Sequence, residues 1–520
     1  MAEMVKLFVN GQEVEVESGK NLIDAFEVIG IEIPHFCYHP ALGSDGNCRM
    51  CLVGIEDGRP PLVPACKTPV SEGLKVQLDT EKIKKIQHDV MELELINHPI
   101  DCPVCDQAGE CKLQDYYMSY DHQASRMRVP QVVKEKKMDL GCGVIHDQER
   151  CVLCARCVRF TRLITKTGEL GIINRSDDAR VALFPGRSLD NRYALNIVDL
   201  CPVGAMTSKD FRFKQRAWFL KRDKGICHGC SMGCNIFIDH NREKYKDDLI
   251  YRFRPRLNPE VNGYFICDEG RLGYHRENEG RLISARIGTE ESSADQALQT
   301  ARRRMEGADK LLILLSPNCS LEQMLAIQAL AATTGATVSG FSDGSIKNGD
   351  ADGYLIQDDK SANRAGLALL GVNTSPEFFE SALQRTDTLV SFNNDLFITG
   401  PNQAWAKKLG EIQIIAISTH DTLFSRQAGI AIPTASYTEY AGSVINKDGI
   451  LQTFGQAVCK NSAPLDMIRI AGLLGGTLTD PEALMQAMKR KIPAFAAIET
   501  DQIPEKGLKL SHNEAAHVTA

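Results

Sequence analysis

The sequence predicts a cysteine-rich α+β half followed by an α/β domain, and three observations lead to this division. Two short alternating runs in residues 5–16 meet at Asn10-Gly11, the strongest short-range signal for a β-hairpin. Of the 18 cysteines, 16 precede residue 268. After residue 280, strand and helix signals alternate in the way that is typical of an α/β sheet.

Length, charge and composition exclude several classes of protein. A chain of 520 residues predicts about three or four domains. Hydrophobic residues make up 43% of it, and no apolar run reaches the roughly 18 residues of a membrane helix, so we expect no bilayer span. Residues 1–18 lack the apolar segment of a secretory signal. A formal charge of -7 gives no reason to expect nucleic acid as a partner, because such binding rests on a basic face.

The N-terminal elements predict a small β-grasp domain. After the hairpin, residues 21–29 favour a short amphipathic helix ended by Gly30, and a loop rich in Gly and Cys leads to a strand at residues 73–78. Residues 80–97 carry apolar side chains at helical spacing, among them Ile83, Ile86 and Val90. This helix leads directly into the next cysteine cluster.

The rest of the chain changes character twice. From residue 98 to 220 periodicity is weak and Cys, Gly and Pro are frequent, as expected for loops around buried inorganic centres. Further on, we predict strands at 310–316, 336–341, 388–392 and 413–418, with a helix at 321–334. Beyond residue 499 the chain is polar, which predicts a loosely held tail.

The cysteine spacing indicates metal binding. Close CxxC pairs in a long chain without a secretion signal favour thiolates on metal in a reducing, cytosolic compartment over disulfides. The first set suits a 2Fe-2S cluster, with a four-cysteine zinc site as the open alternative. Its members are Cys37, Cys48, Cys51 and Cys66.

The second set mixes one imidazole with three thiolates. A neutral histidine ligand removes negative charge from a cluster and changes its potential, which gives the mixture a redox rationale. The set, taken from HPIDCPVCDQAGEC, is His98, Cys102, Cys105 and Cys111.

The third set gives the most specific signal in the chain. A CxxCxxC run with a remote Cys-Pro is typical of a bacterial ferredoxin 4Fe-4S cluster, and zinc rarely uses it. The set is Cys151, Cys154, Cys157 and Cys201.

A fourth set also fits a 4Fe-4S centre. It comes from CHGCSMGC and FICDEGR and consists of Cys227, Cys230, Cys234 and Cys267. The three remaining cysteines, Cys142, Cys319 and Cys459, stand apart, and we assign them no function.

Two further observations concern chemistry. The chain has no GxxxxGK[ST] or GxGxxG sequence for a nucleotide, so the sets indicate electron transfer without a catalytic side chain. Four cations lie beside ligands and either offset cluster charge or are solvated loop residues: Arg49, Arg156, Arg159 and Lys112.

In this order, the four sets resemble those of the G subunit of bacterial NADH-quinone oxidoreductase, respiratory complex I, whose mitochondrial counterpart is the largest soluble-arm subunit. The resemblance implies one 2Fe-2S cluster on the first set and 4Fe-4S clusters on the other three. The fourth set resembles an extra, off-path site of some bacterial members, which favours a bacterial source.

The resemblance also implies partners and a location. Electrons would enter from an FMN-bearing, NADH-binding subunit, pass the first three clusters, and leave toward the quinone-side iron-sulfur subunits. Proton translocation and quinone chemistry would lie in other subunits. The chain would be peripheral on the cytoplasmic face of the inner membrane, with the membrane reached only through the complex.

The second half resembles a degenerate molybdopterin-oxidoreductase domain, from EGRL through DGYLIQDDKSANRAGLALLG to EYAGSVINKDGILQTFGQA. This half is short for such a domain, and its one candidate for the catalytic cysteine, Cys319, is not convincing. We therefore expect no molybdenum. The implied architecture is a β-grasp ferredoxin domain and ferredoxin-like cluster domains before an α/β molybdopterin-oxidoreductase-like domain. Its limits are 1–79 (2Fe-2S), 80–120 (His-ligated 4Fe-4S), 121–219 (4Fe-4S ferredoxin-like), 220–276 (4Fe-4S of the Mo/W-bis-MGD type), 277–498 (α/β) and 499–520 (tail).

Two other interpretations stay open. One is the electron-transfer part of a formate dehydrogenase or an NAD-reducing hydrogenase; hydrogenase relatives commonly continue with two CxxCxxCxxxCP runs, which the long gap from Cys157 to Cys201 disfavours. The other is a zinc-stabilised assembly scaffold with no redox role.

Overall fold

A computed structural model describes residues 3–56, 58, 61–120, 126–128, 130–241, 249–396, 403–458, 464–492, 495 and 503–510. The chain divides into two compact units, residues 1–220 and 221–520. No helix among these described stretches is long and apolar enough to cross a membrane.

The first unit is built from short elements. Its strands are β1 (Met4–Val9), β2 (Gln12–Glu17), β3 (Leu52–Ile55), β4 (Leu62–Pro64), β5 (Lys75–Gln77), β6 (Met138–Asp139), β7 (Val144–His146), β8 (Leu170–Ile173), β9 (Arg180–Leu183) and β10 (Met206–Ser208). Its helices are α1 (Leu22–Val28), α2 (Glu81–Leu95), α3 (Lys112–Tyr120), α4 (Arg156–Leu163) and α5 (Asn196–Leu200).

The N-terminal sheet has the strand order β2-β1-β5-β3-β4. The β1–β2 pair is antiparallel, and Asn10 and Gly11 turn it with φ of 49° and 83°, as a tight hairpin requires. The Asn21 side chain caps α1 by accepting a hydrogen bond from the Asp24 amide. The hairpin, the first helix and the strand at β5 are confirmed.

Residues 80–220 follow the sheet with helices and small β-elements. Thr80 caps α2, which buries Ile83 and Val90 as predicted, whereas Leu93 is 67% exposed. Strands β10, β7 and β6 form a three-stranded sheet, and β8 pairs with β9. The regular elements here are short, in keeping with the weak periodicity of the sequence.

The second unit holds the longer elements. Its strands are β11 (Leu220–Ile226), β12 (Asn235–Asn241), β13 (Ile250–Pro255), β14 (Ala285–Ile287), β15 (Glu290–Ser292), β16 (Leu311–Leu315), β17 (Thr337–Ser339), β18 (Thr388–Phe392), β19 (Gln413–Ser418), β20 (Ile430–Pro433), β21 (Gly442–Ile445), β22 (Ile450–Phe454) and β23 (Leu508–Lys509). Its helices are α6 (Asp268–Leu272), α7 (Tyr274–Asn278), α8 (Ala294–Glu306), α9 (Leu321–Thr334), α10 (Arg364–Leu369), α11 (Pro376–Arg385), α12 (Gln403–Glu411), α13 (Leu423–Gln427), α14 (Met467–Leu473) and α15 (Pro481–Lys491).

The α/β domain is organised by a seven-stranded sheet of order β15-β14-β20-β19-β18-β16-β17. Its strands from β17 to β20 are parallel, and β16 is buried along its whole length. Ile313 belongs to the apolar core on one face, and Leu312 and Leu314 to the core on the other. Both faces are therefore covered, which explains the continuous apolar strands. The predicted strand and helix segments of this domain are confirmed.

The C-terminal prediction needs a correction. Residues 503–510 are not a loose tail, because β23 pairs with β22 and Leu510 is buried in the α/β core. Backbone pairing does not require an apolar segment, so a polar composition gave no sign of it. The residues after 510, and Cys459, lie outside the described residues.

Candidate metal centres

The first predicted set lies in the loops of the N-terminal sheet. Hydrogen bonding among the four thiols lowers the pKa of Cys37 and Cys51 and raises the pKa of Cys48 and Cys66. The Ser44 hydroxyl donates to the Cys66 sulfur over 3.0 Å. The four side chains are thus gathered at one place.

Glycines let the same loop close around sulfur. Gly43 and Gly46 have φ of 68° and 80°, which L side chains rarely adopt. Backbone hydrogen bonds from Cys48 and Gly46 help to lower the pKa of Cys37. A loop amide therefore approaches a sulfur of the first set at Gly46.

The second set is brought together in part. Cys102 begins a single 3-10 turn, which closes where the Cys105 amide donates a hydrogen bond to the Cys102 carbonyl over 3.1 Å. Cys111 directly precedes α3. Burial raises the pKa of Cys111 to about 11 and lowers the pKa of His98 to about 4, which leaves the imidazole neutral, as a ligand must be.

His98 itself sits beside two other sets. It lines a cavity with Cys48 of the first set and Cys151 of the third. Across the described residues, no hydrogen bond or ion pair joins it to Cys102, Cys105 or Cys111. Its membership of the second set stays a prediction.

The third set surrounds one small cavity. All four cysteines line it, together with Arg156 and apolar side chains such as Val203. Burial raises the pKa of Cys154 to about 12, so a thiolate here needs a nearby cation. Iron would supply that charge, and the donor set fits a cluster.

The fourth set also surrounds a single small cavity. Amides of Gly229 and Gly270 donate to the sulfurs of Cys227 and Cys267 over 3.4 and 3.2 Å. A Cβ added at Gly270 would lie 3.1 and 3.3 Å from those two sulfurs. The missing side chain leaves space that a cluster can use.

Ligand spacing bears on the zinc alternative. Sulfurs around one tetrahedral zinc ion lie about 3.8 Å apart. Within the described stretches, one group of three His, Cys, Asp or Glu side chains has its ligand atoms all within 4.8 Å, and it is His88, Asp89 and Glu92 on α2. No three ligand atoms of one cysteine set meet that limit within the described stretches, although hydrogen bonds join the Cys37 sulfur to those of Cys48 and Cys66, so the zinc alternative stays open for the first set.

The cations beside the ligands divide into two pairs. Arg49 and Lys112 are exposed, and Lys112 pairs with Glu32 over 3.1 Å. Arg156 and Arg159 are buried, with 8% and 4% of their surface exposed. Arg49 and Lys112 are therefore solvated side chains, whereas Arg156 and Arg159 are not.

Sequence reasoning missed two residues at these centres. Lys360 lines the cavity of the fourth set although it lies far along the chain, and no local signal marks it. Gly204 lies against the Cys105 sulfur, so the loop after Cys201 packs on the second set. The glycine that closes the Cys-Pro-Val-Gly sequence is a local signal that could have predicted the close contact of Gly204 with Cys105.

Two of the three isolated cysteines, Cys142 and Cys319, lie among the described residues. Cys319 is 1% exposed, and its sulfur lies 3.7 Å from that of Met467. Cys142 is exposed. Neither lines the cavity of the third or of the fourth set.

Three family models match the N-terminal part of the chain. Residues 2–81 match a 2Fe-2S iron-sulfur cluster binding domain. Residues 87–126 match the NADH-ubiquinone oxidoreductase-G iron-sulfur binding region. Residues 141–207 match the ferredoxin-like domain of NADH-quinone oxidoreductase subunit 3. The predicted 2Fe-2S and ferredoxin-like domains are confirmed.

The curated relatives of this chain include subunits of NADH-quinone and NADH-ubiquinone oxidoreductases. The G subunit of NADH-quinone oxidoreductase from Rickettsia conorii is 37% identical over 340 residues, which cover 64% of this chain and 50% of the relative. The Rickettsia prowazekii G subunit is 34% identical, covering 80% of this chain and 63% of the relative. The mitochondrial NADH-ubiquinone oxidoreductase 78 kDa subunit of Candida albicans is 38% identical over 57% of this chain and 41% of its own length. The chain spans roughly half the length of these relatives.

A solved structure gives a weaker match. An NAD+-reducing [NiFe]-hydrogenase in the H2-reduced state is similar over 41% of this chain and 90% of that chain, with 26% identity and a TM-score of 0.37. A similarity at that score supports no conclusion about the fold or the function.

Proposed function

Because this chain is a homologue of the G subunit of NADH-quinone oxidoreductase, we propose that it is the iron-sulfur electron-transfer subunit of a proton-translocating NADH-quinone oxidoreductase. The observation that carries the proposal is the gathering of the third set around one buried cavity. Four converging thiols at that spacing suit a 4Fe-4S cluster better than any other cofactor.

The cofactors follow from the four sets. We assign a 2Fe-2S cluster to Cys37, Cys48, Cys51 and Cys66, and 4Fe-4S clusters to the three other sets, with His98 as the imidazole ligand of the second. When bound, such clusters accept and release single electrons. The chain's own residues hold them, bury them from water and donate amide and hydroxyl hydrogen bonds to their thiolates.

The second half serves as a scaffold in this proposal. We assign residues 277–498 to a molybdopterin-oxidoreductase-like domain that holds no molybdenum and that β23 joins through its pairing with β22. The burial of Cys319 against Met467 supports this, since the candidate catalytic sulfur faces core and not a ligand. The limits of the four domains before residue 277 are kept as 1–79, 80–120, 121–219 and 220–276.

Partners and location complete the proposal. An FMN-bearing subunit would deliver electrons, and quinone-side iron-sulfur subunits would take them. The chain would lie on the cytoplasmic face of the bacterial inner membrane as a peripheral part of the complex.

Anaerobic purification with metal analysis and EPR tests the proposal. We expect about fourteen irons per chain, from one two-iron and three four-iron clusters, and no molybdenum. A Cys154→Ser variant should lose about four irons. The matched control Cys142→Ser, at an exposed cysteine outside the sets, should lose none. Zinc without iron would end the redox proposal, and stoichiometric molybdenum would make the chain a catalytic oxidoreductase.

A further inference from the structure

Two buried arginines join the first and third sets. Arg156 and Arg159 lie one turn apart on α4, the helix that also carries the ligand Cys157. Residues three apart on a helix lie on the same face, so both guanidinium groups point the same way. Their burial sets them apart from Arg162 on the same helix, which is exposed.

The guanidinium groups hydrogen-bond to backbone carbonyls of the first set's loop. Arg156 donates to the Tyr38 carbonyl over 2.5 Å, and Arg159 donates to the Gly43 carbonyl over 2.8 Å and to that of Cys37. Arg156 also reaches the Leu200 carbonyl over 3.1 Å, directly before the ligand Cys201. The two side chains therefore tie together the loops that carry both sets.

Neither cation has a carboxylate partner in the part of the chain that the structure describes. Among the described residues, no Asp or Glu oxygen lies within 4.0 Å of either guanidinium, and the Nε of each is buried without a hydrogen-bond acceptor. A buried cation without a counter-charge is strongly disfavoured. Arg156 instead lines the cavity of the third set together with its four cysteines.

Thiolate-held clusters supply the missing negative charge. We infer that Arg156 and Arg159 form a guanidinium bridge that is the shared counter-charge of the first and third clusters, holding the two loops together and raising the reduction potential of both. The inference rests on the proposed function, because it needs clusters at both sets. A cation near a cluster stabilises the reduced, more negative form, so its removal lowers the potential.

EPR-monitored redox titration of the full-length, iron-loaded chain tests the bridge. In Arg156→Gln we expect the reduced-to-oxidised ratio of the first and third clusters at a fixed potential to fall about tenfold, a shift of about 59 mV per electron. The fourth cluster should keep its potential. Arg156→Lys retains the charge and should restore most of the shift. Arg162→Gln, on the exposed side of α4, should leave all potentials unchanged.

The outcomes separate the bridge from the proposed function. Wild-type protein without iron would sink the proposed function before any variant is compared. Fully loaded Arg156→Gln and Arg159→Gln with unshifted first and third potentials would overturn the bridge alone, as would an equal shift in Arg162→Gln. If the glutamine variants lose iron, the iron content and potentials of the lysine variants test the bridge instead. Recovered iron and potentials support the shared charge, and iron loss as severe as in the glutamine variants overturns it.

Discussion

The third and fourth sets present similar thiol ligands in opposite electrostatic surroundings. Beside the third set, two buried guanidinium groups have no carboxylate within ion-pair distance in the described part of the chain. Beside the fourth, the cation Lys360 is paired with Asp350, and Glu269 lines the same cavity. A paired cation offsets much less cluster charge than an unpaired one. Neighbouring charges can therefore make a cluster with the same thiolate ligands easier or harder to reduce. We expect the fourth cluster to have the lower reduction potential.

Removing one ligand from each set gives the largest expected contrast. Cys154→Ala should abolish quinone reduction by the assembled complex, because the third cluster lies on the electron path of the proposal. Cys230→Ala should leave turnover per assembled chain near wild type and mainly lower stability. Quinone reduction at matched protein levels measures both. Equal losses of turnover in the two variants would contradict different roles for the third and fourth clusters.

Glycine substitutions probe how tightly each site closes. An added Cβ at Gly204 would collide with the Cys105 sulfur, whereas at Gly270 it would meet two sulfurs at 3.1 and 3.3 Å. Overpacking of this kind costs about 1–3 kcal/mol, and we expect Gly204→Ala near the upper end and Gly270→Ala near the lower. Chemical unfolding and iron content measure the effect. Gly410→Ala, in a helix with open space around it, is the control and should lose no iron.

Acid should weaken the sheet that carries the loop after Cys201. His146 on β7 is fully buried, neither ring nitrogen has a hydrogen-bond partner, and burial lowers its pKa from 6.5 to about 4. Because the folded-state pKa is depressed, the native state is favoured above pH 6.5 and loses stability as the pH falls from 6.5 toward 4.

Replacing this histidine should reduce the acid sensitivity. Between pH 7 and pH 5.5, His146→Leu should lose about 1 kcal/mol less unfolding free energy than the wild type. Urea unfolding at the two pH values measures the difference. Parallel losses in both proteins would mean that His146 does not titrate as its burial implies.

The smallest effect is expected at the ion pair of the fourth set. Asp350→Asn leaves Lys360 unpaired and should raise the fourth cluster's potential by less than about 59 mV. Lys360→Met should lower it. The first and third clusters serve as internal controls in the same titration. A shift of all clusters together would show a general change and not a local charge effect.

Local patterns predicted the parts of the fold that local physics determines. Asn10-Gly11 specified its hairpin because both residues tolerate positive φ. The apolar runs at β16 and β18 predicted strands of an α/β sheet, and the structure buries both strands between apolar cores on the two faces of that sheet. The cysteine spacing identified three sets whose four members the structure brings together.

Features that depend on distant contacts were not predictable. The buried Arg156 side chain donates to a carbonyl of Tyr38, more than a hundred residues earlier, so its sequence neighbours could not separate a counter-charge from a solvated side chain. His98 lines a cavity with Cys48 and Cys151, a placement that depends on how three loops meet. The pairing of β23 with β22 left no trace in the polar composition of its segment.

The two units differ in what their cores are made of. In the first unit, Cys37, Cys111 and Cys154 are themselves members of a buried core cluster, so their sulfurs are part of its packing. The core of the α/β domain consists of aliphatic and aromatic side chains on both faces of a sheet. With the proposed clusters in the first three sets, iron starvation should damage the first unit most: a cell short of iron should hold molecules with an intact α/β core and a first unit open to proteolysis.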